Sequence, residues 1–258
     1  MAIGSVLRAT KRNPVARTIT GIFGTSDFHS HLRLEAPLRF VRSLPEKPID
    51  ILELGCGGGF VLTEICSRVE VNTALGIDLS ETHVESANAL RAAVLPDKAL
   101  RFEVGDASEM ASGSHYDIIL LMDVLEHIDD VKPVLDFVRT HLKSDGVLLV
   151  SVPTPLYPHV FGRKFHEQIG HVRDGYTLQS LKEACSDFVV ESYKYSTGPL
   201  AIPFCAFYYR VATRLPRKLC SLIGFVMTPF SVLDIWHPPA LSCSLFAVLR
   251  PATKSVAA

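Results

Sequence analysis

A glycine-rich turn between an apolar run and a helical pattern constrains this chain more than any other feature. The apolar run Ile49–Leu54 leads into the sequence E-L-G-C-G-G-G at residues 53–59, and Phe60–Val69 then has helical spacing. Glycines let the backbone turn tightly and let a ligand approach with no Cβ in the way. This order predicts the opening unit of an α/β domain, but nicotinamide and flavin sites also use such a turn.

The rest of the middle region repeats the alternation of strand-like and helix-like patterns. Strands are predicted at Ile49–Leu54, Ala74–Ile77, Leu100–Val104, Tyr116–Met122, Gly146–Val152, Phe188–Tyr195 and Ser242–Leu249. Helices are predicted at Phe60–Val69, Leu79–Leu95 (with Ser80 as N-cap), Val131–Leu142 and Leu178–Cys185. The pattern predicts an α/β fold with a doubly wound, mainly parallel seven-stranded sheet, whose last strand runs antiparallel beside the sixth. Ligands are expected at the C-terminal edge of the parallel strands.

Charge divides the 258 residues more sharply than the total of −1 suggests. Four regions are predicted: a helical N-terminal arm (1–48), the sheet core (49–195), an apolar helical insertion (196–242), and the last strand with its tail (243–258). The first three carry net charges of +5, −11 and +3. This balance argues against a nucleic-acid binder. It makes an anionic substrate or an anionic membrane surface the expected partner of the basic ends.

The cysteines and the hydropathy of the chain indicate its cellular location. The six cysteines form no CxxC pair and no zinc-finger spacing, so they are interpreted as reduced thiols of an intracellular protein. The charge-free stretch Leu219–Leu233 is shorter than the ~20 residues that a bilayer-spanning helix needs. We therefore expect a cytoplasmic location, with peripheral contact at the inner membrane face through the insertion.

Three acids stand where a nucleoside-binding sheet needs them. Glu53 lies just before the first glycine, Asp78 ends the second predicted strand, and Asp106 follows the third. A carboxylate after the second strand can accept both hydroxyls of a ribose, and one after the third can reach an adenine amine. The glycine spacing is G-x-G-x-G rather than the G-x-G-x-x-G of dinucleotide binders. Asp106 has a second interpretation, as a cap for the next turn.

Four motifs in order, E-L-G-C-G-G-G, I-D-L-S, V-G-D-A and Y-D-I-I-L-L-M-D-V-L-E-H-I, resemble those of class I S-adenosylmethionine-dependent methyltransferases. The resemblance covers residues 45–195 and implies a Rossmann-like methyltransferase fold with S-adenosylmethionine as cofactor. By position it implies that the glycine turn lies beside the methionine part, that Glu53 contacts the amino group and that Asp78 holds the ribose. It also implies that Leu79 lines the adenine slot and that Met122 and Asp123 flank the sulfonium. The implied cofactor-binding residues are Glu53, Gly55, Cys56, Gly57, Gly59, Asp78, Leu79, Asp106, Ala107, Met122 and Asp123.

Candidate bases are histidines that follow the fourth and fifth strands. His127 and His171 are predicted to be catalytic, and His166 is a further candidate. A methyl acceptor that is a hydroxyl must lose a proton, and histidine is suited to accept it. The alternative for His127 is a structural residue that hydrogen-bonds the backbone.

A metal site is the other interpretation of this region. Asp123, Glu126 and His127 have the i, i+3, i+4 spacing that shares one helical face, and His171 or His166 could add a ligand. The E-H-I sequence also occurs in metal-free methyltransferases, so the expectation is no metal.

The sequence thus predicts a methyltransferase that modifies an oxygen of a small-molecule, glycan or lipid-linked acceptor with apolar character. Residues 171–177, H-V-R-D-G-Y-T, resemble a stretch in bacterial methyltransferases of polysaccharide and natural-product clusters. The insertion, with runs such as 200–209 and 222–227, is expected to line the acceptor pocket. The alternatives are a nicotinamide-dependent oxidoreductase and a non-catalytic, cofactor-binding partner subunit. The oligomeric state is left open.

Overall fold

The structure is a computed structural model that describes residues 28–106, 115–210 and 237–252, together with the single positions 215, 219, 223, 226 and 234. Its strands are β1 (Ile49–Leu54), β2 (Val71–Asp78), β3 (Leu100–Val104), β4 (Tyr116–Met122), β5 (Leu142–Pro153), β6 (Phe188–Ser196) and β7 (Ser244–Pro251). Its helices are α1 (Phe28–Arg42), α2 (Phe60–Cys66), α3 (Glu81–Val94), α4 (Lys132–His141), α5 (Tyr157–Phe161), α6 (Arg163–Gln168), α7 (Leu178–Ala184) and α8 (Ala201–Arg210). Short 3-10 turns cover Leu125–His127 and Pro239–Leu241.

One seven-stranded sheet organises the described chain, in the order β3-β2-β1-β4-β5-β7-β6. The pairs among β1 to β5 are parallel, and β7 runs antiparallel to both β5 and β6. The predicted doubly wound sheet and its antiparallel last strand are therefore confirmed. The C-terminal ends of β1, β2, β3, β4 and β5 lie along one edge.

Several predicted boundaries are wrong by a few residues, because backbone pairing extends beyond the apolar runs. Strand β5 begins at Leu142 rather than Gly146, since Leu142 already pairs with Tyr116 of β4. The register of the two strands is irregular between this pair and the next one, Ile118 with Val147. Helix α2 ends at Cys66, where Ser67 caps it, and not at Val69.

Both faces of the sheet are covered, so its central strands are almost wholly buried. One face packs against α2, α3 and α1, and Leu34 and Leu38 of α1 are buried in that core. The other face packs against α4 and α7. The described part of the predicted N-terminal arm is therefore helical and belongs to the core.

The predicted insertion starts from the ligand edge, because β6 ends beside the first residue of β7 and the last of β5. Helix α8 follows, and Ala201 and Cys205 form a small separate core with Phe161 and Cys243. Most of positions 211–236 lie outside the described residues, as do residues 1–27 and Ala107. Among the described residues, no helix has both the length and the hydropathy to cross a membrane.

Candidate active site

The glycine turn between β1 and α2 is built around left-handed backbone conformations. Gly57 and Gly59 have φ values of 52° and 71°, which side-chain-bearing residues rarely adopt. A Cβ on Gly59 would come within 2.6 Å of Ala87 and Phe102, so the turn packs against α3 and β3 there. A Cβ on Gly57 or Gly58 would meet nothing within 4 Å. The turn is therefore packed at its end and open at its middle, as a cradle for a ligand must be.

Asp78 holds this turn in place from the end of β2. Its Oδ2 accepts a hydrogen bond from the Gly57 N–H (2.7 Å) and its Oδ1 accepts one from the Ser80 N–H (2.9 Å). The predicted N-cap is confirmed, since the Ser80 side chain accepts from the His83 N–H. Leu79, beside Asp78, is 74% exposed. A carboxylate next to an exposed apolar side chain matches the ribose and adenine contacts that the resemblance implies.

The adenine side of the edge is only partly described. Asp106 is exposed just beyond β3, and the preceding residue, Gly105, donates its N–H to the Asp78 carbonyl at 3.1 Å. Asp106 and Asp78 therefore follow adjacent strands, as predicted. Ala107 lies outside the described residues.

The side chains of Glu53 and Cys56 are buried. Glu53 is 1% exposed, and its Oε2 accepts a hydrogen bond from the Leu62 N–H at 3.2 Å, at the start of α2. Burial raises the pKa of the Glu53 carboxyl to about 8. Burial also raises the pKa of the Cys56 thiol, which is consistent with a packing role. Glu53 is thus buried against the first residues of α2.

The end of β4 carries Met122 and Asp123, both predicted to flank the cofactor sulfur. Met122 is buried, whereas Asp123 has a left-handed φ of 59°. Its Oδ1 accepts a hydrogen bond from the Ser151 hydroxyl (2.8 Å), and its Oδ2 forms an ion pair with Arg33 of α1. Sequence reasoning missed Arg33, because no motif or spacing connects residues ninety positions apart.

Three predicted residues meet beside Asp123: Glu126, His127 and His171. The His127 and His171 rings stack edge to face with centroids 4.8 Å apart. His127 Nδ1 lies 3.1 Å from the Gly170 carbonyl oxygen, and His171 Nδ1 lies 3.0 Å from His166 Nδ1. The His171 Nε2 atom lies 3.9 Å from Glu126 Oε1.

Burial shifts the pKa of His171 and the pKa of Glu126 in opposite directions. The pKa of His171 is lowered to about 4, chiefly by burial and then by the neighbouring histidines, so this ring is neutral near pH 7. Burial and the charge of Asp123 raise the pKa of the Glu126 carboxyl to about 9. A neutral histidine here can accept a proton.

The same three side chains also pass a first test as a metal site. One ligand atom from each of Glu126, His127 and His171 lies within 4.8 Å of the others. Each histidine has its Nδ1 engaged elsewhere, as is usual for metal-bound imidazoles, and Glu126 Oε2 is buried without a hydrogen-bond partner. The donor set fits a divalent cation. The prediction that the site holds no metal stays untested. Asp123, engaged with Ser151 and Arg33, is not part of this set.

A cavity of about 300 Å³ opens at this edge of the sheet. Its charged and histidine lining residues are Arg33, Asp123, Glu126, His127 and His171. Its apolar wall includes Phe161, Cys205 and Cys243, which pack in one cluster against Leu32 and Tyr157. Cys205 comes from the predicted insertion, as expected for an acceptor pocket.

A seven-stranded sheet in this order, with a glycine turn and an acid after β2 at its C-terminal edge, defines a Rossmann-like methyltransferase. Comparison with known families agrees: a model described as "Methyltransferase domain" matches residues 28–188. The chain belongs to this family of class I S-adenosylmethionine-dependent methyltransferases.

Individual relatives match parts of the chain. A ubiquinone biosynthesis O-methyltransferase of Bartonella quintana is 35% identical over 43% of this chain and 44% of its own length. A trans-aconitate 2-methyltransferase of Deinococcus radiodurans is 37% identical over 46% of this chain and 44% of its own. These matches span less than half the length of either relative.

A solved structure supports the fold. Phosphoethanolamine N-methyltransferase 2 of Haemonchus contortus, in complex with S-adenosyl-L-methionine, superposes with a TM-score of 0.59 at 16% identity. The superposition covers 84% of this chain and 53% of that one. At this identity the likeness concerns the fold alone.

Proposed function

We propose that this protein transfers the methyl group of S-adenosylmethionine to a hydroxyl oxygen of a small or lipid-linked acceptor with apolar character. The observation that carries the proposal is the cavity beside Asp123, where two histidines face an apolar wall. The O-methyltransferase among the relatives is consistent with an oxygen acceptor. Family membership favours methyl transfer over the nicotinamide-dependent alternative.

Bound S-adenosylmethionine supplies an electrophilic methyl group on a sulfonium. In the proposed mechanism the glycine turn lies beside the methionine part, Asp78 and Leu79 hold the nucleoside part, and Met122 and Asp123 lie beside the sulfur. The apolar wall formed by Tyr157 and Phe161 orients the acceptor and excludes water. Alignment of this kind supplies most of the rate in an in-line displacement, because the departing thioether needs no proton.

The acceptor hydroxyl must lose its proton as the new bond forms. His171, neutral near pH 7, and His127 both line the cavity, and either ring can take that proton. Replacing His127 with alanine should leave cofactor affinity unchanged and lower turnover by about 10²- to 10⁴-fold if it is the base. Turnover at the wild-type rate would reduce His127 to a structural role.

The acceptor itself is best found by trapping. We expect native mass spectrometry of the purified protein, or of protein incubated with a lipid and metabolite extract, to reveal a bound apolar hydroxyl compound. Adding cofactor with a deuterated methyl group should transfer the label to that compound. A cofactor-loaded protein that labels no acceptor in any extract would favour the alternative of a non-catalytic partner subunit.

A metal is the second feature to test at this site. Activity that survives extensive treatment with a chelator agrees with the expectation of no metal and with a histidine base. Loss of activity that Mg²⁺ or Zn²⁺ restores would mean that Glu126, His127 and His171 hold a cation, which would then bind and acidify the acceptor hydroxyl.

We also propose that the insertion rests on an anionic membrane surface without crossing it. Leu200 and Phe207 are 51% and 44% exposed, and so are the described positions Leu219 and Val226, at 43% and 57%. Four of the five charged residues in 196–242 are basic. Apolar side chains with flanking positive charge suit an anionic interface.

A further inference from the structure

A second histidine, His166, contacts the ring of His171. The Nδ1 atoms of the two rings lie 3.0 Å apart, and the rings meet edge to face with centroids 4.5 Å apart. The side chain of His171 is 5% exposed and that of His166 is 2% exposed. A hydrogen bond between two ring nitrogens needs one donor and one acceptor, so the tautomer of each ring depends on that of the other.

The other ring nitrogen of His166 lies near a carboxylate. His166 Nε2 is 3.7 Å from Asp174 Oδ1. Arg163 donates one hydrogen bond to each oxygen of Asp174, both at 2.9 Å, and these hydrogen bonds lower the pKa of the Asp174 carboxyl. Asp174 is therefore ionised near pH 7 and can only accept hydrogen bonds. Its side chain is 46% exposed, so this end of the series lies at the surface.

The backbone that carries His171 is tied to the segment that follows β4. Val172, the next residue, donates its N–H to the Glu126 carbonyl at 2.9 Å. The guanidinium group of Arg173 donates to the Asp129 carbonyl at 2.8 Å. The place of His171 is therefore fixed, and what its ring can do depends on which nitrogen carries the hydrogen atom.

The carboxylate of Asp174 determines where that hydrogen atom lies. A neutral histidine has one N–H, and the tautomer that turns this N–H toward a carboxylate is favoured, because the other one would turn a lone pair toward a negative charge. His166 then has its hydrogen on Nε2, which leaves its Nδ1 as an acceptor. His171 must therefore donate from Nδ1, and its own lone pair is on Nε2. Burial lowers the pKa of His171 to about 4, so this lone pair is free near pH 7.

We propose that Asp174 and His166 position His171 as the general base, by holding it in the tautomer whose Nδ1 carries the hydrogen and whose Nε2 can take a proton from the acceptor. His171 lines the cavity, whereas Asp174 and His166 do not, so both act through His171 as positioning residues. A carboxylate that fixes the tautomer of a catalytic histidine is a general device of enzymes, here with a second histidine between the two groups. The inference rests on the proposed transfer to a hydroxyl group.

His127 gives the test an internal control, because its tautomer has a different origin. Its Nδ1 faces the Gly170 carbonyl oxygen at 3.1 Å. A carbonyl oxygen only accepts hydrogen bonds, so the backbone holds the hydrogen of His127 on Nδ1. Replacing His166 or Asp174 should therefore change the tautomer of His171 and leave that of His127 unchanged.

The tautomers are measured by two-dimensional ¹H–¹⁵N NMR of the full chain labelled with ¹⁵N-histidine, near pH 7 and with a chelator present to remove any bound cation. A ring nitrogen that carries hydrogen and one that does not give well-separated signals, so neither the acceptor nor the cofactor is needed. The variants are Asp174→Asn and His166→Phe, with Glu167→Gln as control, an exposed carboxylate on the same helix as His166. His171→Gln and His127→Gln assign the signals of the two rings.

We expect wild-type His171 to show hydrogen on Nδ1 alone and His166 to show it on Nε2 alone. An amide both donates and accepts, so Asp174→Asn should release the tautomer of His166 and convert part of His171 to the form with hydrogen on Nε2. His166→Phe removes the acceptor, so His171 should adopt mainly that form, which free histidine prefers. Glu167→Gln should match the wild type, and His127 should keep its hydrogen on Nδ1 throughout.

A wild-type His171 with its hydrogen on Nε2, or a wild-type His166 protonated on both nitrogens, would overturn the proposal. A His171 signal that is the same in Asp174→Asn as in the wild type would also overturn it and leave Asp174 and His166 as structural residues. Thermal unfolding shows whether His166→Phe is folded, and Asp174→Asn decides the question alone if it is not. A protein that methylates no acceptor would contradict the proposed function without changing these tautomers, so the two failures are distinguishable.

Discussion

At the scale of single residues, Asp78 connects the backbone of the glycine turn with the ribose that it is expected to hold. Its two oxygens accept hydrogen bonds from Gly57 and Ser80, so the carboxylate is oriented before any ligand arrives. Asp78→Ala should weaken cofactor binding by about 1–3 kcal/mol, because the ribose hydroxyls lose a charged acceptor. Calorimetry with S-adenosylhomocysteine measures this, with the exposed Asp97→Ala as control. Unchanged affinity would remove Asp78 from the site.

Buried Glu53 should make the stability of the protein depend on pH. Its pKa is raised by burial from 4.5 to about 8, so folding disfavours its ionised form, and the wild type should lose stability as the pH rises between these values. Glu53→Gln cannot ionise and its amide oxygen can still accept the Leu62 N–H. The variant should therefore gain melting temperature relative to the wild type as the pH rises from 5 towards 8.

Thermal unfolding of both proteins across this pH range measures the difference, and the exposed Glu85→Gln serves as control. A difference that is constant with pH would mean that Glu53 titrates as it does in the unfolded chain.

At the scale of elements, the glycine turn separates stability from binding. Gly59→Ala should destabilise the fold because its Cβ would clash with Ala87 and Phe102. Gly57→Ala meets open space, so it should cost only about 1 kcal/mol of backbone strain while its methyl group intrudes on the cofactor. Gly58→Ala, also in open space and without a positive φ, is the control. The order of the three variants in melting temperature should differ from their order in cofactor affinity. The same order in both measurements would contradict distinct roles of Gly59 in stability and Gly57 in binding.

The elements also show what a sequence can and cannot reveal. Strands such as Tyr116–Met122 were predicted correctly because a strand buried on both faces is apolar throughout. The start of β5 was missed because Leu142 pairs with Tyr116 through the backbone and the residues that follow Leu142 are polar. Glu53, Asp78 and Asp106 could be selected from the sequence because each lies at the C-terminal end of a strand or just beyond it. Arg33 could not, since only the packing of α1 against the core brings it to Asp123.

At the scale of the whole molecule, we propose that cofactor and acceptor bind at one edge of the sheet and that the insertion contacts the membrane. Liposome flotation tests that contact. We expect the protein to bind vesicles with anionic lipid and to lose binding as salt rises, because charges at a surface are screened within about 10 Å at 0.1 M salt. Phe207→Ser should weaken flotation without changing cofactor affinity. Binding that ignores lipid charge and salt would contradict the electrostatic part.

The central claim is that this edge binds S-adenosylmethionine. Parallel calorimetric titrations of the wild-type protein with S-adenosylmethionine and with NADH test it most directly, because neither requires the acceptor to be known. We expect saturable binding of S-adenosylmethionine at one molecule per chain and no binding of NADH. S-adenosylhomocysteine should compete for the site, and Asp78→Ala should weaken the binding. Binding of NADH without S-adenosylmethionine, or S-adenosylmethionine binding that is indifferent to Asp78, would contradict the central claim.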